Sequence, residues 1–319
     1  MSASSASKTL VIDIGGTNTR IATALGPRVA GDSIRRYRNA EIGTLDAAIA
    51  AYRDETGAAP YAVCVAGAGP VRDAVLELTN LDWTIDRAAV RAATGAEVVS
   101  ILNDLQAQGH ALDALPAASL TEILPGAPSG PQAARLVINV GTGMNIAPVY
   151  RLGGQTLVPP AEAGHTLLPA QSDEELRLAA FLSERHGYPS AEEVLSGRGI
   201  EALYAFVSGT ERRNAQIMAD LGMDPHAQHT LGLFIAMLGR VAGNLALTTL
   251  PFGGIYLVGG VMRHVTPHLA TPGFSETFAD AFADRGRFAP FMAQFPVRVV
   301  SDDYAALTGC AAHMAEILS

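Results

Sequence analysis

Lysine is almost missing from this chain of 319 residues: Lys8 is the only one, and the other 21 basic residues are arginine. Lys8 stands at the very start of the first predicted strand, a poor place for a buried catalytic amine. No G-x-x-x-x-G-K-[ST] string occurs, so a lysine-dependent P-loop is excluded, and Schiff-base chemistry loses its nucleophile. Any phosphate bound here must be held by backbone N–H groups, hydroxyls, arginine or a metal. Charge is also sparse, at 17% of residues, and the formal net charge is −9 with no basic block. Phosphate backbones and anionic membranes both demand clustered cations, so neither a nucleic-acid nor a membrane partner is expected. Only two cysteines are present, Cys64 and Cys310, each in apolar surroundings. Buried free thiols in a reducing compartment fit better than a disulfide or a metal pair. The N-terminal MSASSASK is polar and lacks the apolar stretch of a signal peptide, which points to the cytoplasm.

What is abundant is apolar residues, at 49%, and glycine, with 32 residues. The chain can bury a large core, and its length suits two domains. The stretch from Val241 to Met262 carries no charge, but Asn244, Pro251 and five glycines interrupt it, so it reads as buried helix, turn and buried strand. β-Branched apolar runs predict strands at 8–14, 19–24, 60–68, 97–102, 135–140, 254–258 and 296–300, the first two forming a hairpin across a glycine turn. Helices are predicted over 44–56, 86–94, 104 to about 115, 173–187, 225–250 and 303–317. Residues 116–134, rich in Pro, Gly, Ala and Ser, read as a surface loop or a crossing between domains.

One internal repeat stands out. Leu10-Val11-Ile12-Asp13-Ile14-Gly15 recurs as Leu136-Val137-Ile138-Asn139-Val140-Gly141, and each copy runs into a Gly/Thr/Asn turn. In the first turn, Gly15 and Gly16 permit a positive φ, so successive N–H groups can form an anion nest to which Thr17 and Asn18 add donors. Asp13 before it can hold Mg²⁺ through water, and Arg20 can brace the turn. Thr142 and Gly143 would make the second phosphate turn. Gly259-Gly260, at the end of a buried strand, would let a flat base approach the backbone. Each of these is also compatible with an ordinary tight turn. Asn103-Asp104 lies at a strand end and helix start, where a helix cap is the local explanation. Glu162 and His165 behind a proline turn are suitable partners for adjacent hydroxyls, although a loop histidine is often only structural; no cysteine cluster accompanies them, which argues against zinc. Glu192 equally suits the first turn of a helix after Ser190.

The ordered set DIGGTNTR, LTNLDW, Asn103-Asp104, VGTG, AEAGH, SAEEVLSG and LVGG resembles the bacterial ATP-dependent glucokinases, from about residue 9 to the C-terminus. The resemblance implies an α/β fold with two duplicated domains of the actin-like ATPase (ribonuclease H-like) type around a central cleft. Residues 1–108 plus 304–319 would form a small domain and 109–303 a large one. It implies a hexose kinase that uses ATP and Mg²⁺, and a homodimer. Asp104 would be the general base for the primary hydroxyl of the sugar. Asn103, Asp104, Glu162, His165 and Glu192 would contact the sugar. Asp13, Gly15, Gly16, Thr17, Asn18, Thr142, Gly143, Gly259 and Gly260 would serve the nucleotide and its metal. The pattern departs from the family's usual G-x-G-T-G-x-G at Asn139 and Asn145, which replace the outer glycines, and from E-G-G-H at Ala163. Those departures leave open another hexose (mannose, fructose or an amino sugar). A non-catalytic sugar sensor of the same fold is the remaining alternative.

Overall fold

The computed structural model describes residues 8–319, which gather into two compact units. The first holds the chain up to Ala117 with Leu152–Pro160 and Asp302–Ser319; the second holds Ala118–Arg151 and Ala161–Ser301.

The first unit opens with β1 (Lys8–Ile14) and β2 (Asn18–Leu25), the predicted hairpin, followed by β3 (Arg28–Val29) and β4 (Arg35–Arg38). Two helices come next, α1 (Asn39–Ile42) and α2 (Leu45–Thr56), then β5 (Ala62–Gly67). The Thr44 hydroxyl caps α2 at the Ala47 N–H, and Gly57 stops it in the left-handed region. A small antiparallel sheet of β6 (Val71–Arg72), β7 (Val75–Glu77) and β8 (Thr84–Asp86) leads into α3 (Arg87–Thr94), which Asp86 caps through the Ala88 and Ala89 N–H groups. Then come β9 (Val98–Asn103) and α4 (Asp104–Ala111). The main sheet runs β3-β2-β1-β5-β9 with β4 also on β2, and β1, β5 and β9 are parallel. Side chains alternate along β1: Leu10, Ile12 and Ile14 pack with Ile49, Tyr52 and Val90, while Val11 packs with Cys64, Leu307 and Cys310. A strand covered on both faces must read as an unbroken apolar run, which is why LVIDI shows no polar alternation.

The second unit contains β10 (Leu120–Leu124), β11 (Arg135–Val140) and β12 (Met144–Leu152); β13 (Gln155–Leu157) belongs to the first unit again. After it come α5 (Asp173–His186), α6 (Gly197–Ser208), α7 (Asn214–Ala219) and α8 (Pro225–Thr249). They are followed by β14 (Ile255–Val258), α9 (Gly260–Leu269), α10 (Phe274–Ala283), α11 (Ala289–Met292) and β15 (Val297–Val300). The last helix, α12 (Ala305–Ile317), belongs to the first unit. β11 pairs antiparallel with β12 and parallel with β14, and β14 is parallel to β15. These are the relations of β1 to β2 and β5, so the sequence repeat is a repeat of topology. The uncharged stretch 241–262 is the end of α8, a turn and β14, as expected. Phe234, Leu238, Phe278 and Phe282 of α8 and α10 lie in one core with Leu136 and Ile138 of β11.

One expectation fails here. Within the predicted loop 116–134, Leu120–Leu124 form β10, antiparallel to β15. The strand is short, exposed on part of its length and flanked by Pro and Gly, so nothing local marks it; pairing with a distant partner creates it. The elements β12, α6, α7, α9 and α10 had no assignment from sequence.

Candidate active site

In the first unit, two groups of candidate residues emerge at the same edge of one sheet. Ile14 is the register partner of Gly67, and Gly67 of Asn103, so β1 and β9 end level with one strand between them. The Gly15–Asn18 turn and the Asn103-Asp104 pair therefore stand roughly 10 Å apart along the carboxyl ends of parallel strands, where open α/β sheets bind ligands.

The first turn is closed by the Gly15 N–H donating to the Asn18 carbonyl at 2.9 Å. Neither Gly15 nor Gly16 adopts a positive φ, so the expected left-handed nest is not how the turn is built. Asn39 builds it instead. Its buried side chain donates to the Gly15 carbonyl (2.7 Å) and accepts from the Thr19 hydroxyl (2.8 Å), while its own N–H donates to the Thr17 carbonyl (2.9 Å). Gly16 and Thr17 are left exposed, with Asn80 of the LTNLDW motif beside Gly16. Asp13 is buried and paired with Arg20 at 2.8 Å. Burial pushes its carboxyl up, and the Arg20 guanidinium pulls it part of the way back. A small cavity of about 360 Å³ beside Thr17 and Asn18 is bordered by Arg36 and Arg38. These two strand neighbours of Arg20 and Asn18 escaped the sequence reading, which had no β4 to carry them.

At the other end of the sheet edge, the helix cap falls on Asn103 and not on Asp104. Asn103 caps α4 in a reciprocal box: its Oδ1 accepts the Gln106 N–H (2.7 Å), and Gln106 Oε1 accepts the Asn103 N–H (3.0 Å). Gln106 Nε2 also donates to the Val158 carbonyl (2.9 Å), which fixes the helix start. Asp104, at the first helical position, is half-buried, and its Oδ1 accepts the Leu105 N–H at 3.0 Å.

In the second unit, Asn139 is the register partner of Val258, so the Gly141–Gly143 turn and Gly259-Gly260 also share one sheet edge. This turn is one residue shorter than the first and is closed by the Gly141 N–H donating to the Gly143 carbonyl at 2.9 Å. Gly259 has φ +110°, and a Cβ there would lie 2.4 Å from the Val140 carbonyl oxygen and 2.6 Å from Asn139 Oδ1. Only glycine fits between β11 and the start of α9. A cavity of about 810 Å³ opens at this edge, with Thr142 and Gly260 in its wall, Val261 and Met218 as apolar surface, and Asn214 and His264 as polar groups. A flat base flanked by apolar groups, with phosphates toward the N-terminus of α9, suits that lining. Gly143 faces elsewhere. A Cβ on it would meet Glu192 Oε2 at 2.5 Å.

Glu192 sits in a short helical turn, with Oε2 accepting the Met144 N–H (2.9 Å) and Oε1 paired with Arg198. Ser190 does not cap that turn through its side chain. Glu162 and His165 are exposed on the neighbouring loop, linked by the His165 N–H and the Glu162 carbonyl (3.3 Å). That loop lies against the start of β12: a Cβ on Gly164 would stand 1.9 Å from the Met144 carbonyl oxygen and 3.5 Å from Glu192 Cβ. Glu162, His165 and Glu192 are therefore brought onto one side of the second turn. Ala163 has no positive φ, so alanine replaces glycine there without strain.

The family model described as Glucokinase matches residues 10–317. The chain belongs to the glucokinase family. It is 34% identical over 321 residues to the glucokinase of Chromobacterium violaceum, covering 97% of this chain and 90% of that protein. With the glucokinase of Brucella abortus biovar 1 it shares 32% over 312 residues, or 95% and 90% of the two chains. Among solved structures it is similar to the glucokinase of an Antarctic psychrotroph, with a TM-score of 0.85, 28% identity and coverage of 96% and 98%. The ROK hexokinase of Thermus thermophilus, at 22% identity and a TM-score of 0.69, shares the fold. As a member of the glucokinase family, with the actin-like ATPase fold, the chain is a hexose kinase, a phosphotransferase with an alcohol acceptor.

Proposed function

We propose that this chain transfers the γ-phosphoryl group of ATP to the 6-hydroxyl of glucose, giving glucose 6-phosphate and ADP, with Asp104 as the general base. The carrying observation is the level ending of β1 and β9, which brings the Gly15–Asn18 turn and the half-buried Asp104 carboxylate to one sheet edge. Asn103 does the capping, so α4 does not require an acid at position 104.

Phosphoryl transfer rests on positioning and on neutralising the equatorial oxygens. Backbone N–H groups and the Thr17 and Thr142 hydroxyls would hold the phosphates, and the cavity beside Gly260 would hold adenosine. Asn103, Glu162, His165 and Glu192 would orient the sugar hydroxyls. Asp104 would accept the proton of the 6-hydroxyl as that oxygen attacks phosphorus. Mg²⁺ would supply charge neutralisation at the phosphates. Asp13 would hold it through water, and no cluster of three or more His, Cys, Asp or Glu occurs among the described residues. That donor set suits an ion carried mainly by phosphates and water rather than by a protein cage. The acidic balance of the chain supports an enzyme without nucleic-acid or membrane partners, and the family resemblance supports a homodimer in the cytoplasm.

The test is a coupled ADP-release assay on glucose, mannose, fructose and glucosamine, with Asp104→Ala alongside. Turnover on glucose should fall by about 10²–10⁴ in the variant, while calorimetry shows glucose still bound. Near-normal turnover would remove Asp104 from its role. A clear preference for another hexose would favour the second reading, which Asn145 beside Glu162 keeps in view.

A further inference from the structure

Asn145 stands where the glucokinase pattern has the last glycine of its second phosphate turn, and it makes contacts no glycine could. Its Nδ2 donates to the Ala161 carbonyl (2.6 Å) and to Glu162 Oε2 (3.0 Å). Its Oδ1 accepts the Ala163 N–H (3.1 Å) and, within its own strand, the Ile146 N–H (2.8 Å). One amide thus grips the backbone on both sides of Glu162 and one oxygen of its carboxylate. The base of the clamp is firm: Asn145 is a ladder residue of β12 opposite Asn139, and the residue before it, Met144, receives Gly164 of the same loop at close approach.

We propose that Asn145 is a positioning residue for the hexose: it presents the Glu162 carboxylate to the sugar and determines which oxygen is offered. The proposal rests on the reading of Glu162 as a sugar ligand. Glu162 is exposed and on a loop, so without the clamp its side chain would sample several rotamers. With Oε2 accepting from the amide, Oε1 is the oxygen the clamp turns outward with its acceptor capacity unused by Asn145. The chain therefore has a device of its own for tuning hexose affinity in a family whose pattern leaves this position bare.

The experiment compares Asn145→Ala, Asn145→Asp and Glu162→Gln in steady-state kinetics with glucose and ATP varied separately, and with melting temperatures. Asn145→Ala should raise the KM for glucose about tenfold, with kcat and the KM for ATP within twofold of the parent. Asn145→Asp keeps the acceptor for the Ala163 and Ile146 N–H groups, so the loop stays folded, but it sets a second carboxylate against Glu162. Its KM for glucose should be raised at pH 8 and should improve towards pH 5.5, where the pair can share a proton, whereas Asn145→Ala should show no such improvement. If Glu162→Gln raises the KM for glucose and neither Asn145 variant does, the positioning role is overturned. It is equally overturned if the KM values for glucose and ATP rise together as the melting temperature falls. If Glu162→Gln itself leaves the KM for glucose unchanged, the assignment of Glu162 as a sugar ligand fails first.

Discussion

Asn39 shows how a single amide can decide the shape of a turn that glycine only permits. It is buried, it holds Gly15, Thr17 and Thr19 together, and it lies just beyond β4. Asn39→Ala would leave the Gly15 carbonyl and the Thr19 hydroxyl without their partner, at a cost of about 1–3 kcal/mol. We expect a lower melting temperature and a raised KM for ATP, with the KM for glucose little changed. A KM for ATP unaffected by the loss would mean that the first turn does not touch the nucleotide. Asn39 and Asn145 follow one logic. Each sits in or beside a strand that flanks a functional loop, and each uses donor and acceptor ends to fix loop backbone that carries no regular hydrogen bonding of its own.

At the scale of elements, α4 deserves most weight, because it begins with Asp104 and ends on a buried histidine. His110 lies against His313 of α12 at 4.5 Å between ring centroids, and its Nδ1 has no hydrogen-bond partner among the described residues. His313 in turn contacts the Ser100 hydroxyl on β9 (2.8 Å), and Glu316, one turn further along α12, accepts from the Thr156 N–H and hydroxyl of β13. Burial, then the neighbouring His313, pushes His110 down to about 4. The folded state thus holds the imidazole neutral at pH values where the unfolded chain, with an ordinary value near 6.5, takes up a proton. The resulting stability is complete above about pH 6.5 and is lost as the pH falls towards 4, by up to roughly 3 kcal/mol. Urea denaturation across this range should show the loss, and His110→Phe should flatten the profile if the ring packs in its place. An unchanged acid slope in that variant would point to other groups.

At the scale of the whole molecule, the two units repeat one plan: a hairpin strand, a parallel neighbour and a turn closed by a glycine N–H. The first unit carries Asp104 and one glycine turn, and the second carries the larger cavity, the other glycine turn and the loop of Glu162 and His165. Glucose and MgATP should therefore each stabilise the fold. At a hundred times its Kd, a ligand that binds only the native state adds about 2.7 kcal/mol. Removing Mg²⁺ with EDTA should abolish turnover and shrink the thermal shift produced by ATP, while leaving the shift produced by glucose. A glucose shift that also vanished would put a metal in the sugar site.

The sequence by itself determined the repeated strand-and-turn motif, the two glycine turns and the buried strands, because apolar runs and Gly-Thr punctuation are short-range signals. LVIDIG and LVINVG carry the repeat in six residues each, and Asp86, Ser172 and Pro225 mark helix starts locally. It also gave the buried free state of Cys64 and Cys310. Only the tertiary structure decided which residues serve those turns. Asn39 reaches Gly15, Asn145 reaches Glu162, Glu192 lies under Gly143, and Leu120–Leu124 become a strand against β15. A hydrogen bond between residues far apart in the chain leaves no local periodicity to read. Its geometry exists only once the strands have paired and their side chains share a face.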